Sequence, residues 1–237
     1  TFKELSEEQV EKISAHPGIR EAGERIVCGF CTTGVFGKVP AEVSYMDKNC
    51  TKWSYATPTT GREPKQSNEI AMDTVALKLL GVTPELGAKV TIKYQAGDKT
   101  NGGFQETDTF ILSGYWEYDD LMPVHYINVS KDYVKSVEEK WMASGEKAFR
   151  TDLNVMLPSK LNIEQQMQKI DTDLGYDWNT RDQENSARIG VNWGLTASQL
   201  NAGMDPELLA AIAAFLLLVI FTGYLIIYNI FQILRAA

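Results

Sequence analysis

The chain has 237 residues, of which 44% are hydrophobic and 23% charged, and its formal net charge is −8. This length suits one large domain or two small ones. The sequence has no basic run and no alternation of basic and aromatic residues, which argues against nucleic-acid binding. An acidic surface can attract cationic peptides weakly, although ordinary solubility explains the charge more simply. No G-x-x-x-x-G-K-[ST] loop occurs in the sequence, so the chain is not itself a P-loop ATPase.

The N-terminal part predicts a helix, two strands and a long loop. Ser6 and Gln9 have the spacing of a capping box, which predicts that a helix begins there. The runs 24–33 and 41–45 are rich in strand-forming residues. The segment 47–65 contains several proline and glycine breakers, so we expect it to be a loop.

The sequence after residue 65 predicts further strands and helices. We expect residues 68–71 to lead into the first of these helices, and Gly81 to end it. The predicted strands are 89–94, 105–118, 124–129, 151–157 and 187–193, and the predicted helices are 73–80, 131–147 and 162–174. Residues 96–103 predict a hairpin tip.

The order of these elements predicts the fold class. Strands and helices do not alternate as in a βαβ protein, which favours an α+β fold with helices packed on a mostly antiparallel or mixed sheet. We expect an extracytoplasmic domain over 1–203, as one body or with a second subdomain at about 119–186. A transmembrane helix is expected over 205–234.

The C-terminal run is the most apolar part of the sequence. No charged residue occurs from Leu208 to Leu234, and about 20 apolar residues are enough to cross a bilayer. Pro206 has the position of a first helical residue. Arg235 at the far end predicts that this end is cytoplasmic and that residues 1–204 lie outside. We expect the chain to be a fragment whose preceding membrane segment is missing.

Several residues of this run suit helix packing. Ala210 and Ala214 have small-xxx-small spacing, and Gly223 would also let a neighbouring helix approach closely. Asn229 in hydrocarbon requires a hydrogen-bond partner. These features favour membership of a helix bundle, whereas Tyr228 is also compatible with simple interfacial anchoring.

The Cys28-Gly29-Phe30-Cys31 motif is a weak candidate for redox chemistry. Reactive CxxC pairs lie at a helix N-terminus, which stabilises the thiolate. Here the motif falls in a predicted strand, where residues three apart should face opposite sides. We therefore expect these cysteines to be buried structural residues.

Other catalytic or metal sites are poorly supported. A zinc site would have to use His16 and His125, which are far apart and have no second CxxC nearby. A triad around His125 lacks a G-x-S-x-G elbow. The acidic residues Glu117, Asp119 and Asp120 lack calcium-loop spacing, and a solvated strand end explains them better.

Motifs in a fixed order along the chain resemble a known family. They are Gly61-Arg62-Glu63-Pro64, Asn68-Glu69-Ile70, Leu80-Gly81-Val82, Leu86-Gly87, the segments 108–116 and 191–193, and finally Tyr228-Asn229-Ile230-Phe231 in the apolar run. Together they resemble the FtsX-like/MacB-like ABC transporter permeases of Gram-positive bacteria. The chain would then be a MacB-like extracytoplasmic core domain followed by the second transmembrane helix.

This resemblance implies a function and a set of partners. Such permeases couple movement of the outer domain to ATP hydrolysis, for export or expulsion of a lipid, peptide or antibiotic. The ATP and Mg would bind to a separate cytoplasmic ABC ATPase, so this chain would hold no cofactor, no metal and no catalytic residue. Other permease helices or a second permease copy would pack beside it. The motif residues would have structural roles: Gly61, Arg62, Pro64, Asn68, Glu69, Ile70, Gly81 and Gly87.

Two other classes of function remain open from the sequence. The chain could be a single-pass membrane-anchored extracellular domain that binds or senses a ligand. A membrane-tethered enzyme is the third alternative, and the missing catalytic constellation argues against it.

Overall fold

A computed structural model of the protein describes residues 1–97, 104–120, 122–143, 145, 149, 151–177, 188–190 and 206–236. In the last range it describes the side chains of residues 210, 212–228 and 231. The chain divides into two compact units. The first comprises Thr1–Pro158 and Glu164–Gly190, and the second comprises Ser159–Ile163 and Val191–Ala237. The predicted domain boundaries stay a prediction.

The first unit is built on a mixed sheet. Its strands are β1 (Phe2–Leu5), β2 (Glu21–Cys31), β3 (Ala41–Met46), β4 (Thr60–Gly61), β5 (Glu69–Asp73), β6 (Lys89–Ala96), β7 (Gln105–Trp116), β8 (His125–Val129), β9 (Thr151–Met156) and β10 (Arg188–Ile189). Their order is β10-β1-β9-β2-β3-β8-β5-β7-β4, and β6 pairs with both β2 and β7. The pairs β3–β8 and β5–β7 are parallel, and the other pairs are antiparallel. The predicted α+β class with a mixed sheet is therefore confirmed.

Strand β6 closes part of this sheet on itself. It forms a long antiparallel hairpin with β7, from Lys89 opposite Ile111 to Gln95 opposite Gln105. Its far end also pairs with β2, where Gly29 lies opposite Ala96. Because one strand joins two distant parts of the sheet, the enclosed side chains form one core.

Within its described residues, the first unit also contains four α-helices and all but the first residue of a fifth. They are α1 (Glu7–Ser14), α2 (Lys48–Trp53), α3 (Thr74–Leu79), α4 (Lys131–Ala143) and α5 (Ile163–Asp173). Helix α1 has the predicted capping box. The Gln9 backbone N–H donates to the Ser6 hydroxyl, and the Gln9 side-chain oxygen accepts from the Ser6 backbone N–H. Ser130 accepts a hydrogen bond from the Tyr133 N–H at the start of α4.

The structure corrects several predicted elements. The segment 47–65 is not all loop, because it contains α2, capped by the Asp47 carboxylate, and the short strand β4. Residues 69–73 form the buried strand β5, and α3 begins only after it, with Asp73 as its cap. Strand β1 was not predicted. The sequence predicts Asn162 as the N-cap of the helix that ends at residue 174, but Asn162 has a φ of 52°, which is not the extended conformation of an N-cap residue.

The main core lies between the sheet and helices α3 and α4. Its large, fully buried side chains include Tyr94, Phe110, Ile70, Leu77 and Ile127. Residues on alternating positions of β6 and β7 point into it, as the burial pattern along both strands shows. A smaller cluster of Ala56, Ala71 and Trp116 lies at the end of β7, with Tyr126 packed against it.

The second unit contains one long helix in its described part, α6 (Pro206–Ala236), of 31 residues. Its Thr222 hydroxyl donates back to the Leu218 carbonyl oxygen at 2.9 Å. Among the residues whose side chains the structure describes, no helix is long and apolar enough to cross a membrane.

Candidate functional site

The Arg62–Glu69 pair organises the first motif segment. The Arg62 guanidinium donates two hydrogen bonds to the Glu69 carboxylate, at 2.8 and 2.5 Å. The same carboxylate accepts the backbone N–H groups of Lys65 and Gln66. Arg62 is the main cause that lowers the pKa of Glu69 to about 2; the two backbone N–H groups act in the same direction, and burial acts against them. Arg62 and Glu69 therefore stabilise the conformation of the loop 62–69.

Gly61 allows two backbones to approach closely. Its φ is +79°, and a Cβ there would lie 2.3 Å from the Ser113 carbonyl oxygen. Across the strand pair, a Cβ on Gly114 would lie 2.4 Å from the Arg62 carbonyl oxygen. Only glycine fits either position without a shift of backbone, so the motif glycine has a structural role.

The other motif residues also lie at structural positions. Pro64 is half-buried and Ile70 is fully buried in the main core. The Asn68 carbonyl oxygen accepts the Ile111 N–H at 2.8 Å. Gly81 and Gly87 have φ values of 72° and 89°, after α3 and before β6 respectively. None of these contacts tests the family assignment, which stays a prediction.

A pocket of about 310 Å³ lies beside this segment. We call it the Tyr55 pocket; its lining residues are Lys52, Tyr55, Thr57, Thr59, Trp116, Glu117 and Asp119. One wall comes from the end of α2 and the chain that leads to β4. The other wall comes from the end of β7 and the residues after it. The pairing of Thr60 with Tyr115 holds the two walls together.

The backbone of Tyr55 has an unusual conformation. Tyr55 follows the C-cap residue Ser54 of α2 and has a φ of 54°. The next N–H, that of Ala56, bonds back to the Thr51 carbonyl oxygen at 2.9 Å. This arrangement is a Schellman-type helix end, in which glycine is the usual residue at the Tyr55 position. The Tyr55 side chain is 66% exposed.

Trp116 and Glu117 fix the opposite wall. Trp116 is only 4% exposed and packs with Ala56 and Ala71. The Glu117 carboxylate accepts a hydrogen bond from the Thr74 hydroxyl at 2.9 Å. The predicted acidic cluster thus lies at the end of the strand, as expected, and two of its members also line the pocket.

A second feature is a buried pair of His125 and Asp73. His125 Nδ1 lies 2.9 Å from Asp73 Oδ2, and the two side chains are 3% and 1% exposed. The other oxygen of Asp73 caps α3 through the Ala76 N–H. The rings of Phe36 and Tyr118 pack against the imidazole. A substrate cannot reach this enclosed pair in the folded state, so the pair joins β8 to α3 instead of forming a triad.

The cysteines contradict one detail of the sequence prediction. Cys28 and Cys31 do not face opposite sides: both belong to the main core cluster. The register of β2 against β3 shifts between Val27 and Gly29, so a bulge at Cys28 changes the alternation. All three cysteines are free and buried.

Burial makes these thiols poor nucleophiles. It raises the pKa of Cys28 and Cys50, and it raises the pKa of Cys31 to about 12. The Cys28 thiol donates to the Val43 carbonyl oxygen at 3.2 Å. Reactivity requires the thiolate, so the geometry is that of structural cysteines.

Among the described residues, no group of three or more His, Cys, Asp or Glu side chains lies close enough together to hold a metal ion. His16 instead accepts the Gly18 N–H at 3.0 Å and lies 3.5 Å from Asp173. It therefore has the local structural position expected for a residue near a helix end.

The predicted packing residues of the apolar run lie on α6. Ala210 and Ala214 are exposed, Gly223 is half-buried, and Tyr228 is 48% exposed. The rings of Tyr224 and Tyr228 stack with their centroids 6.1 Å apart. The side chain of Asn229 lies outside the described residues. Packing of these residues against other helices stays a prediction.

Comparison with protein-family models finds no match. No curated protein matches the chain either. Among solved structures, the chain is similar to the extracellular domain of the noncanonic ABC-type transporter YknZ from Gram-positive bacteria. That match has a TM-score of 0.44 and 13% sequence identity, and it covers 72% of this chain and 82% of that chain. At this identity and TM-score, the likeness supports no conclusion about fold or function.

Proposed function

We propose that the chain is part of an ABC transporter permease, and that its first unit is the extracytoplasmic domain. The observation that carries this proposal is the order of the motifs, from Gly61-Arg62-Glu63-Pro64 to Tyr228-Asn229-Ile230-Phe231. The structure gives the first motif a local role, because Arg62 binds Glu69 and Gly61 allows two backbones to approach closely.

The proposed role is mechanical. A cytoplasmic ABC ATPase binds ATP and Mg, and its movement is passed through membrane helices to the outer domain. The outer domain then helps to export or expel a lipid, peptide or antibiotic. The domain is non-catalytic in this proposal. The enclosed His125–Asp73 pair and the poorly ionised thiols support that part of it.

The apolar run is the proposed link between domain and ATPase. We place it across the membrane because no charge interrupts it from Leu208 to Leu234, and about 20 apolar residues are enough to span a bilayer. A cytoplasmic C-terminal end is supported by Arg235, because basic residues are more frequent on the cytoplasmic side of membrane helices. Ala210, Ala214 and Gly223 would contact other permease helices or a second permease copy.

Topology can be tested with an impermeant maleimide on intact cells that express the parent protein. The three cysteines of this chain are buried and give little background. Glu85 is exposed in the first unit, so Glu85→Cys should be labelled on intact cells. Ala236→Cys should be labelled only after permeabilisation. Labelling of Glu85→Cys only in permeabilised cells would place the domain inside and refute the proposal.

A further inference from the structure

We propose that the Tyr55 pocket binds the ammonium or guanidinium group of an organic cation. The inference is independent of the proposed function, because it uses only the geometry and charges of the pocket. The cation would lie between the Tyr55 ring and the carboxylates of Glu117 and Asp119.

The charges of the lining favour a cation. Two carboxylates and one ammonium, that of Lys52, line the pocket. The threonines at positions 57 and 59 add hydroxyl groups that can accept or donate hydrogen bonds. A cation would meet two opposite charges and one like charge there, whereas an anion would meet two like charges and one opposite charge. The net charge of −8 on the chain favours the same class of ligand at longer range.

The aromatic side chains add a second attraction for the same class. A cation within about 6 Å of a tyrosine or tryptophan ring is attracted by the negative face of the ring. Tyr55 and Trp116 come from opposite walls of the pocket. An aromatic wall combined with carboxylates is the combination that recognises alkylammonium and guanidinium groups.

Tyr55 is also an unfavourable residue for the local backbone. Its φ of 54° lies in the left-handed region, which disfavours any residue with a Cβ relative to glycine. The side chain does not recover this cost by burial, because it is 66% exposed. The tyrosine ring therefore contributes little to the stability of the fold at this position. Contact between the ring and a ligand would explain why a tyrosine occupies it.

The opposite wall is preformed. Trp116 is packed with Ala56 and Ala71, and Glu117 accepts the Thr74 hydroxyl. The pocket has a volume of about 310 Å³ and is largely open to solvent. The pocket therefore suits a single side chain or a small amine.

Binding is tested by calorimetric titration of the full chain in mild detergent. The probes are a blocked Gly-Lys-Gly peptide, the same peptide acetylated on its lysine, and putrescine. We expect the unmodified peptide to bind with a Kd on the order of 1 mM, as a few solvent-exposed contacts allow. The acetylated peptide should bind at least about five-fold more weakly, because acetylation removes the charge. Stronger binding of putrescine than of the peptide would identify a free amine as the ligand source, and the reverse would identify a peptide side chain.

The decisive variant is Tyr55→Gly. It removes the ring and places the preferred residue at the helix end, so it should keep or raise the melting temperature while weakening binding about five-fold. Tyr55→Phe should bind like the unchanged protein. Glu117→Gln should weaken binding by a similar factor, and the exposed control Glu85→Gln should leave it unchanged. Equal affinity for the two peptides, or unchanged affinity in a folded Tyr55→Gly protein, would overturn the proposal.

Discussion

Asp171 on helix α5 should make the stability of the protein depend on pH. Its side chain is 0% exposed, and neither carboxylate oxygen has a hydrogen-bond partner among the described residues. Burial raises the pKa of this carboxyl from 3.8 to about 7. Because the folded state holds the proton more tightly than the unfolded state, folding is disfavoured once the unfolded chain ionises.

The pKa shift sets the size of the effect. A shift from 3.8 to about 7 corresponds to a destabilisation of up to ~4 kcal/mol above pH 7, at about 1.4 kcal/mol for each pKa unit. The cost is absent below pH 3.8, grows between that pH and 7, and is then constant. Asp171→Asn replaces the carboxyl with a neutral group of the same shape. It should therefore change stability little at pH 4 and raise it at pH 8.

The assay is urea unfolding of the full chain in mild detergent, followed by tryptophan fluorescence at several pH values between 4 and 8. Asp173→Asn is a matched control one half-turn away. Lys169 lowers the pKa of Asp173, so this variant should have the opposite sign and lose stability at neutral pH. An Asp171→Asn protein whose gain in unfolding free energy is the same at pH 4 and pH 8 would refute the desolvation argument.

Three further predictions follow from the motif segment and the cysteines. Gly61→Ala should destabilise the protein by more than about 2 kcal/mol, because it adds a backbone clash to the cost of a positive φ. Gly81→Ala has open space around the new Cβ and should cost only about 1 kcal/mol. Equal losses of the two variants in urea unfolding would contradict the close approach at Gly61. Arg62→Gln should cost on the order of 1 kcal/mol at pH 7, since the arginine is nearly half exposed. The cost of Arg62→Gln should disappear as the pH falls from 4.5 toward 2, because Glu69 stabilises the fold only while its carboxylate is ionised. A cost that persists at pH 2 would exclude the ion pair as its cause. All three cysteines should react with a thiol reagent only in denaturant, and rapid labelling of the native protein would contradict their burial.

Local signals in the sequence predicted many of the elements. The capping box of Ser6 and Gln9 and the glycine after α3 act within one helical turn, so a short window contains all that is needed. The β6–β7 hairpin was also predicted, because the turn-forming residues 96–103 separate two strand-forming runs.

The errors arose where distant contacts decide the structure. Strand β5 is buried at every position, so it has no alternation to read. Helix α2 has only six residues and no apolar period, and its Asp47 cap was read as part of a loop. The bulge at Cys28 depends on pairing with β3, which local sequence does not contain.

The Tyr55 pocket could not be predicted for the same reason. Its two walls are about 60 positions apart in the sequence and meet because β4 pairs with β7. The His125–Asp73 pair is likewise formed by residues 52 positions apart. One local signal was present: a tyrosine occupies a helix end where glycine is usual, but the end itself was hidden by the missed helix α2.

The central proposal is that this domain works with a separate ATPase, and co-purification tests it most directly. The full-length parent protein would be affinity-purified from its native membrane in mild detergent, after brief cross-linking, and the bound proteins identified by mass spectrometry. We expect a P-loop ATPase in an amount comparable to the parent, with ATPase activity in the purified complex. Recovery of the intact parent with no P-loop ATPase would contradict the transporter proposal.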